Sequence, residues 1–285
     1  MRVAFIGFGE VASAFAAALA ARGAEVLAYD ILLAAPEGAG RLQARAGGVP
    51  VRFLGLAEAV HAADYVISTV TTSVALAAAG DCARHLGARH AYLDLNACEP
   101  AVKKRIAEVV AASGAAFVEG ALLGAVGVTG AKTEILLGGP HARRAQEDLA
   151  RGLGLNARFY SEETGRASMF KMLRSVFSKG MEALLIEFLV AGERAGIRDD
   201  LWREVTTLFA GQPFDKVAAN WVRTHAGAHE RRYHEVEQVA GVLRGLGLEP
   251  VVTAATEAFF ARSDRLGLKP AANMDEVVRL FNQRL

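Results

Sequence analysis

Lys171 stands in the stretch GRASMFKMLRSVFSKG, Gly165 to Gly180. An amine held beside a substrate can pass a proton to, or take one from, a reacting oxygen. Met169, Met172, Leu173, Val176, Phe177, Leu184 and Phe188 recur three and four apart, which predicts one buried stripe of a helix. Ser168, Lys171, Ser175, Ser178 and Glu182 recur in the same way and share another face. Short hydroxyl neighbours leave room beside the amine. A lysine so placed is either a solvated group or one with space to act, and the helix alone does not decide between them.

A second constellation opens the chain. VAFIGFGEVASAFAAALAARG carries Gly7-x-Gly9-x-x-Ala12 between an apolar strand pattern and an Ala-rich helix pattern. Gly7 permits a tight turn, Gly9 lets a pyrophosphate approach the backbone, and Ala12 lets the helix pack closely on the strand. The helix N-terminus offers free N–H groups and a positive dipole to phosphate. The next strand pattern, EVLAYD, ends at Asp30, where an acid can bind the adenosine ribose hydroxyls. Ile31, Leu32 and Leu33 follow, and the first arginines beyond are Arg41 and Arg45, so NAD is favoured over NADP. The expected cofactor contacts in this half are Gly7, Phe8, Gly9, Glu10, Val11, Asp30, Val70 and Thr71.

The elements that must position these groups fall into two kinds. RVAFIG, EVLAYD, VRFL, YVISTV, AYLDL, AFVEGA, TEILLGG and ARFY read as short strands. EVASAFAAALAARG, LAEAVHAA, PAVKKRIAEVVAASG and HARRAQEDLARGLG read as helices between them, which argues a parallel sheet covered by helices. After about Ser161 the strand signals stop, and a long helix, roughly Gly165 to Ala195, begins an all-helical region. The expected fold is an α/β Rossmann-type domain over 1–162 followed by an all-α domain over 163–285. With 285 residues, 52% of them hydrophobic, the chain can bury a sizeable core. A net charge of +1 without a long block of one sign points away from nucleic acid. Cys82 and Cys98 fit neither a disulfide framework nor a metal spacing. The start lacks the pattern of a signal peptide and no apolar run is long enough for a membrane span, so the expected location is the cytoplasm.

The glycine turn, the helical second half and a helix carrying Gly165 and Lys171 with five residues between them together resemble the β-hydroxyacid dehydrogenases. That family includes 3-hydroxyisobutyrate dehydrogenase, tartronate semialdehyde reductase and 6-phosphogluconate dehydrogenase. The stretch from Lys171 to Gly180 looks closest to members of undefined substrate that carry a KMxRSxxxKG helix. DLNACEP, Asp94 to Pro100, is similar to the family's loop near the nicotinamide, with Asn96 at that end and Pro100 opening the next helix. EGALLGAVG, Glu119 to Gly127, stands where the family has Asp-x-Pro-Val-Ser-Gly-Gly. Leu123 takes the serine position and Gly124 keeps the first glycine. Lys171 matches the catalytic lysine, and Ser175 replaces the asparagine four residues on.

The resemblance implies an NAD(P)-dependent oxidoreductase acting on CH–OH, with Lys171 as general acid/base and Leu123, Gly124, Arg174 and Ser175 toward substrate. Leu122 and Leu123 suggest a less polar substrate than a sugar acid. Burial, Arg174 or Lys179 would lower the lysine pKa toward a useful range. A homodimer through the helical domain is expected, and no metal: His225 and His229 are four apart but lack a third ligand. The alternatives are an imine reductase, which commonly has Asp or Tyr at the Lys171 position, and a non-catalytic dinucleotide-binding protein.

Overall fold

A computed structural model describes residues 1–284. Its first compact unit runs from Met1 to Ser175, and the second begins at Val176. The first unit contains β1 (Arg2–Ile6), α1 (Glu10–Ala21), β2 (Glu25–Tyr29), α2 (Gly38–Ala46), β3 (Val51–Phe53), α3 (Leu56–Ala62) and β4 (Tyr65–Ser68). It continues with α4 (Ala75–Ala83), β5 (Ala91–Asp94), α5 (Pro100–Ala111), β6 (Ala116–Leu123), α6 (Val126–Thr129), β7 (Glu134–Gly138), α7 (Ala142–Gln146) and β8 (Ala157–Ser161). The long helix α8 (Arg166–Ala195) starts in this unit. The boundary expected at 162/163 therefore differs from the compact division, because Ala167 and Ser168 in the first turn of α8 are buried with the sheet.

The eight strands form one sheet in the order β3-β2-β1-β4-β5-β6-β7-β8. All eight sequence strands are present, and the dinucleotide-type half is parallel from β3 to β6. The expectation of a parallel sheet needs one correction: β7 runs antiparallel to β6, and β8 runs parallel to β7. The connection between Leu123 and Glu134 is too short for the crossover that a parallel partner requires. The β7-to-β8 connection is longer and carries α7 with a π-helical stretch, Glu147–Gly152.

Strands buried on both faces separate two apolar layers, as a sheet sandwiched by helices demands. Val3 and Phe5 point into the layer that holds Phe15 and Leu19 of α1, while Ala4 and Ile6 point into the layer that holds Ile106 and Val110 of α5. In α1, Ala12, Phe15, Ala16 and Leu19 form the buried stripe, three and four residues apart. Pro100 sits at the first turn of α5, where its missing N–H costs nothing.

The second unit holds the rest of α8 with α9 (Arg198–Gly211), α10 (Phe214–Gly245), α11 (Val251–Arg265) and α12 (Met274–Arg284). α10 packs against α11 and α12, around Ala226, Leu268, Ala271 and Val277. Among the described residues no helix is long and apolar enough to cross a membrane.

The α8 stripe overturns one expectation. Leu173 is 62% exposed, Val176 73% and Phe177 55%, whereas Ser168 is buried and Lys171 half-buried. At its start α8 turns its hydroxyl-and-lysine face inward and leaves its apolar face uncovered. Periodicity identifies a face that wants cover without saying what supplies it.

Candidate active site

Two clefts of the first unit hold the expected cofactor residues and Lys171. The larger, about 520 Å³, opens at the β1–α1 turn and is lined by Gly7, Gly9, Asp30, Leu32, Val70 and Thr71 among others. Gly7 has φ +84°, and a Cβ there would lie 2.9 Å from the Thr69 carbonyl oxygen, so only glycine fits. Thr69 Oγ1 donates to the Gly7 carbonyl at 2.7 Å and pins the turn to β4. At Gly9 a Cβ would meet nothing within 4 Å. The space beside its backbone is open, at the N-cap of α1. That is the form a phosphate-binding turn requires.

Asp30 is already engaged in this turn. Its Oδ2 accepts the Phe8 N–H at 2.8 Å and its Oδ1 accepts the Leu32 N–H at 2.9 Å. Arg45 donates to the Phe8 carbonyl at 2.7 Å. The remaining expected cofactor residues divide by role. The Phe8 side chain is core, edge-on to Phe5 and Phe53, and Val11 packs on the same layer. Glu10 is exposed in the first turn of α1, against Gly127. Asn96 lines the other cleft.

That second cleft, about 240 Å³, brings together Asn96, Ala97 and Cys98 after β5, Ala121 of β6, and Ser168, Lys171, Met172 and Ser175 of α8. Burial pulls the Lys171 amine below the ordinary lysine range, and the positive charges of Lys103 and Arg174 push it in the same direction. Asn96 is held by its N–H on Asp94 Oδ1 at 2.8 Å and by its Nδ2 on Ser68 Oγ at 2.9 Å, which leaves its buried Oδ1 without a protein partner. Cys98 is buried, and that burial pushes its thiol up. Ser175 Oγ donates to the Lys171 carbonyl at 2.9 Å, so the hydroxyl serves the helix backbone rather than the amine.

Three expected substrate residues lie elsewhere. Arg174 lines a separate groove of about 430 Å³ with Tyr160, Arg166 and Phe170. Leu123 packs against Ala121, Leu136 and Ala167, and Gly124 follows it with φ +147°. Neither Leu123 nor Gly124 is among the residues lining the Lys171 cleft, to which β6 contributes Ala121.

Comparison with known proteins bears on the family and the fold. Residues 2–97 match the family described as NADP oxidoreductase, coenzyme F420-dependent, and residues 193–263 match a domain of unknown function, DUF1932. A conserved hypothetical protein from Sinorhizobium meliloti 1021 is 33% identical, over 100% of this chain and 97% of that one, with a TM-score of 0.63. The conserved protein MTH1747, described as structurally similar to 3-hydroxyacid dehydrogenases, is 32% identical over 93% of this chain and 97% of that one, with a TM-score of 0.62. The chain belongs to a β-hydroxyacid dehydrogenase-like family of undefined substrate. Its fold is also that of an imine reductase from Myxococcus stipitatus in complex with NADP⁺, 17% identical over 99% of this chain and 100% of that one, with a TM-score of 0.78. A variant of that enzyme is solved with NAD⁺. The fold is thus one of dinucleotide-binding oxidoreductases.

Two buried charged residues beside the Lys171 cleft escaped the sequence. Glu119, fully buried on β6, accepts the backbone N–H groups of Gly165 and Ser168, each at 2.7 Å, and so fixes the first turn of α8. Lys103, on α5, is 1% exposed; its Nζ reaches Asp94 O at 2.8 Å, Asp94 Oδ1 at 2.9 Å and Gly120 O at 3.3 Å. Its signal was available. Lys103 falls in phase with Ile106 and Val110, the buried stripe of α5.

Proposed function

We propose that this protein transfers hydride between NAD(P) and a small β-hydroxy acid or related hydroxy-carbonyl compound, with Lys171 as the general acid/base. The observation that carries this is a half-buried lysine whose pKa is lowered, in a cleft beside Asn96. The turn from Gly7 to Ala12, Asp30, Val70 and Thr71 would hold the dinucleotide; the open backbone at Gly9 and the carboxylate of Asp30 fit it. When bound, the nicotinamide supplies or accepts the hydride. In reduction the Lys171 ammonium gives a proton to the substrate oxygen; in oxidation the neutral amine takes the hydroxyl proton. A lysine at its ordinary pKa is a poor base at neutral pH, so the lowering is what the role needs. Asp30 disfavours a 2′-phosphate, which supports NAD over NADP.

The walls formed by Ala97, Ala121 and Met172 are apolar, and Arg174 faces another groove. That observation also suits an imine substrate without a carboxylate. A panel of β-hydroxy acids, their carbonyl partners and cyclic imines, assayed with NADH and NADPH, separates the two. Turnover of imines alone would overturn the hydroxy-acid assignment, and no turnover with any member would favour a non-catalytic dinucleotide-binding protein.

The uncovered face of α8, with Leu173, Val176 and Phe177, supports a homodimer through the helical region. Sedimentation at micromolar concentration tests it, and a monomer would count against it. A cytoplasmic location is the corresponding proposal for compartment.

A further inference from the structure

We propose that Lys103 is a positioning residue of the lysine cleft: its buried ammonium ties the end of β5 to β6, next to the residues of those strands that line the cleft with Lys171, and so fixes a cation behind that wall. This deepens the function proposed above and rests on its choice of cleft.

The geometry is a three-way tie. Lys103 Nζ bonds the backbone oxygens of Asp94 and Gly120 and the side-chain Oδ1 of Asp94. The same Oδ1 accepts the Asn96 N–H at 2.8 Å, so the ammonium, the carboxylate and the Asn96 backbone form one chain of contacts. Asn96 lines the cleft two residues after Asp94, and Ala121 lines it one residue after Gly120. Both walls opposite α8 are therefore anchored on a single amine. Lysine is an expensive way to make such an anchor. At 1% exposure its charge must be fully bonded, and an apolar side chain in the α5 stripe would have filled the volume. What an apolar residue would not supply is charge. Like charge close to an amine favours its neutral form.

The charged and titratable groups around Lys171 are few. α5 contributes Lys103 and α8 contributes Arg174, and both act on Lys171 in the same direction. β5 contributes Asp94, already paired with Lys103. The following loop contributes the Cys98 thiol, pushed up by burial. β6 contributes Glu119, whose oxygens are taken by the start of α8. Arg174 is exposed and screened, whereas Lys103 is sealed behind the cleft wall.

The test needs no substrate. Trace acetylation of the full-length protein with acetic anhydride, followed by mass spectrometry, reads the neutral fraction of Lys171 against pH, with the exposed Lys179 as internal reference. In Lys103→Met the Lys171 midpoint should rise, because a like charge that disfavours its ammonium is gone, while Lys179 stays put. Lys103→Met leaves the buried Asp94 without its ion partner, so Asp94→Asn/Lys103→Met removes both charges while Asn keeps an acceptor for the Asn96 N–H. Its Lys171 midpoint should also rise, because the Lys103 charge that disfavours the Lys171 ammonium is gone there too. An unchanged midpoint in a folded variant overturns the proposal. So does loss of the circular-dichroism spectrum in both variants, which would make Lys103 purely structural. Absence of turnover with every substrate tested would defeat the hydride-transfer assignment and leave this result standing.

Discussion

Glu119 Oε1 accepts the backbone N–H of Ser168 at 2.7 Å, three residues before Lys171. Its other oxygen takes the Gly165 N–H at 2.7 Å. A fully buried acid thus meets the positive end of α8 and satisfies two of its orphan donors. The strand sets where the helix begins, and the helix sets where Lys171 points.

Glu119→Gln tests that link. The amide oxygen can accept one of the two N–H groups, and its NH₂ then confronts the other. The variant should lose about 2 kcal/mol of stability in urea unfolding, the scale of a hydrogen bond to a charged group. Turnover should fall further than NADH affinity does, since the cofactor turn lies at the other cleft. A variant as stable and active as the parent would show that β6 does not position α8.

Lys171→Ala should lower turnover by about 10²–10⁴-fold with NADH binding hardly changed. Lys171→Arg should not restore it, because a guanidinium stays protonated. Lys179 is exposed and pairs with Glu182 at 2.7 Å, so Lys179→Ala serves as the control and should keep most activity. The lowered pKa sets the sign of the pH profile. Reduction uses the ammonium and should decline as pH rises through the Lys171 value, below the ordinary lysine range. Oxidation uses the amine and should increase through the same value. Profiles that move in the same direction for both reactions would remove Lys171 from the mechanism.

Asp30→Asn should act on the cofactor in two ways. The turn loses one of the N–H acceptors now given to Phe8 and Leu32. The repulsion of a 2′-phosphate also disappears. NADH should bind about tenfold more weakly, equivalent to about 1.4 kcal/mol. The ratio of NADPH to NADH affinity should rise. Titration by nucleotide fluorescence reads both, and an unchanged ratio would mean that Asp30 serves the turn alone.

The turn and the lysine were legible because each is written locally. Gly7, Gly9 and Ala12 state their backbone requirements within six positions, and Ser168, Lys171 and Ser175 declare a face by spacing. What was not legible depends on distant pairing. Nothing near Glu134 announces that β7 reverses, since direction follows from the length of the connection and the edge it joins. Glu119 reads as part of a substrate loop until the fold brings Gly165 and Ser168 to it. Arg174 shares a helix with Lys171 yet lines another groove, because it falls on the side of Lys171 away from Ser168, about a third of a turn round the helix from that serine. The apolar stripe of α8 reads as buried by spacing, yet Leu173, Val176 and Phe177 are exposed, because periodicity does not say what covers a face.

The second unit carries its own pH signature at His225. This buried imidazole sits among Phe259, Phe260 and Phe281, with Nε2 2.9 Å from Ser263 Oγ. Burial lowers its pKa from 6.5 to about 4, with the charges of His229 and Arg232 acting in the same direction. Between those values the unfolded chain binds the proton and the folded chain does not, so stability rises with pH across the window. The contribution is fully present above pH 6.5 and is lost as pH falls through the window toward about 4. Its ceiling is about 3 kcal/mol, from the size of that shift. His225→Phe keeps an aromatic side chain in the cluster and removes the titrating group. Urea midpoints for both proteins, taken at neutral pH and at about pH 4.5, measure the difference. The parent should lose more stability on acidification than His225→Phe. Equal losses would mean that His225 protonates in place, with Ser263 and its surroundings able to accept the charge.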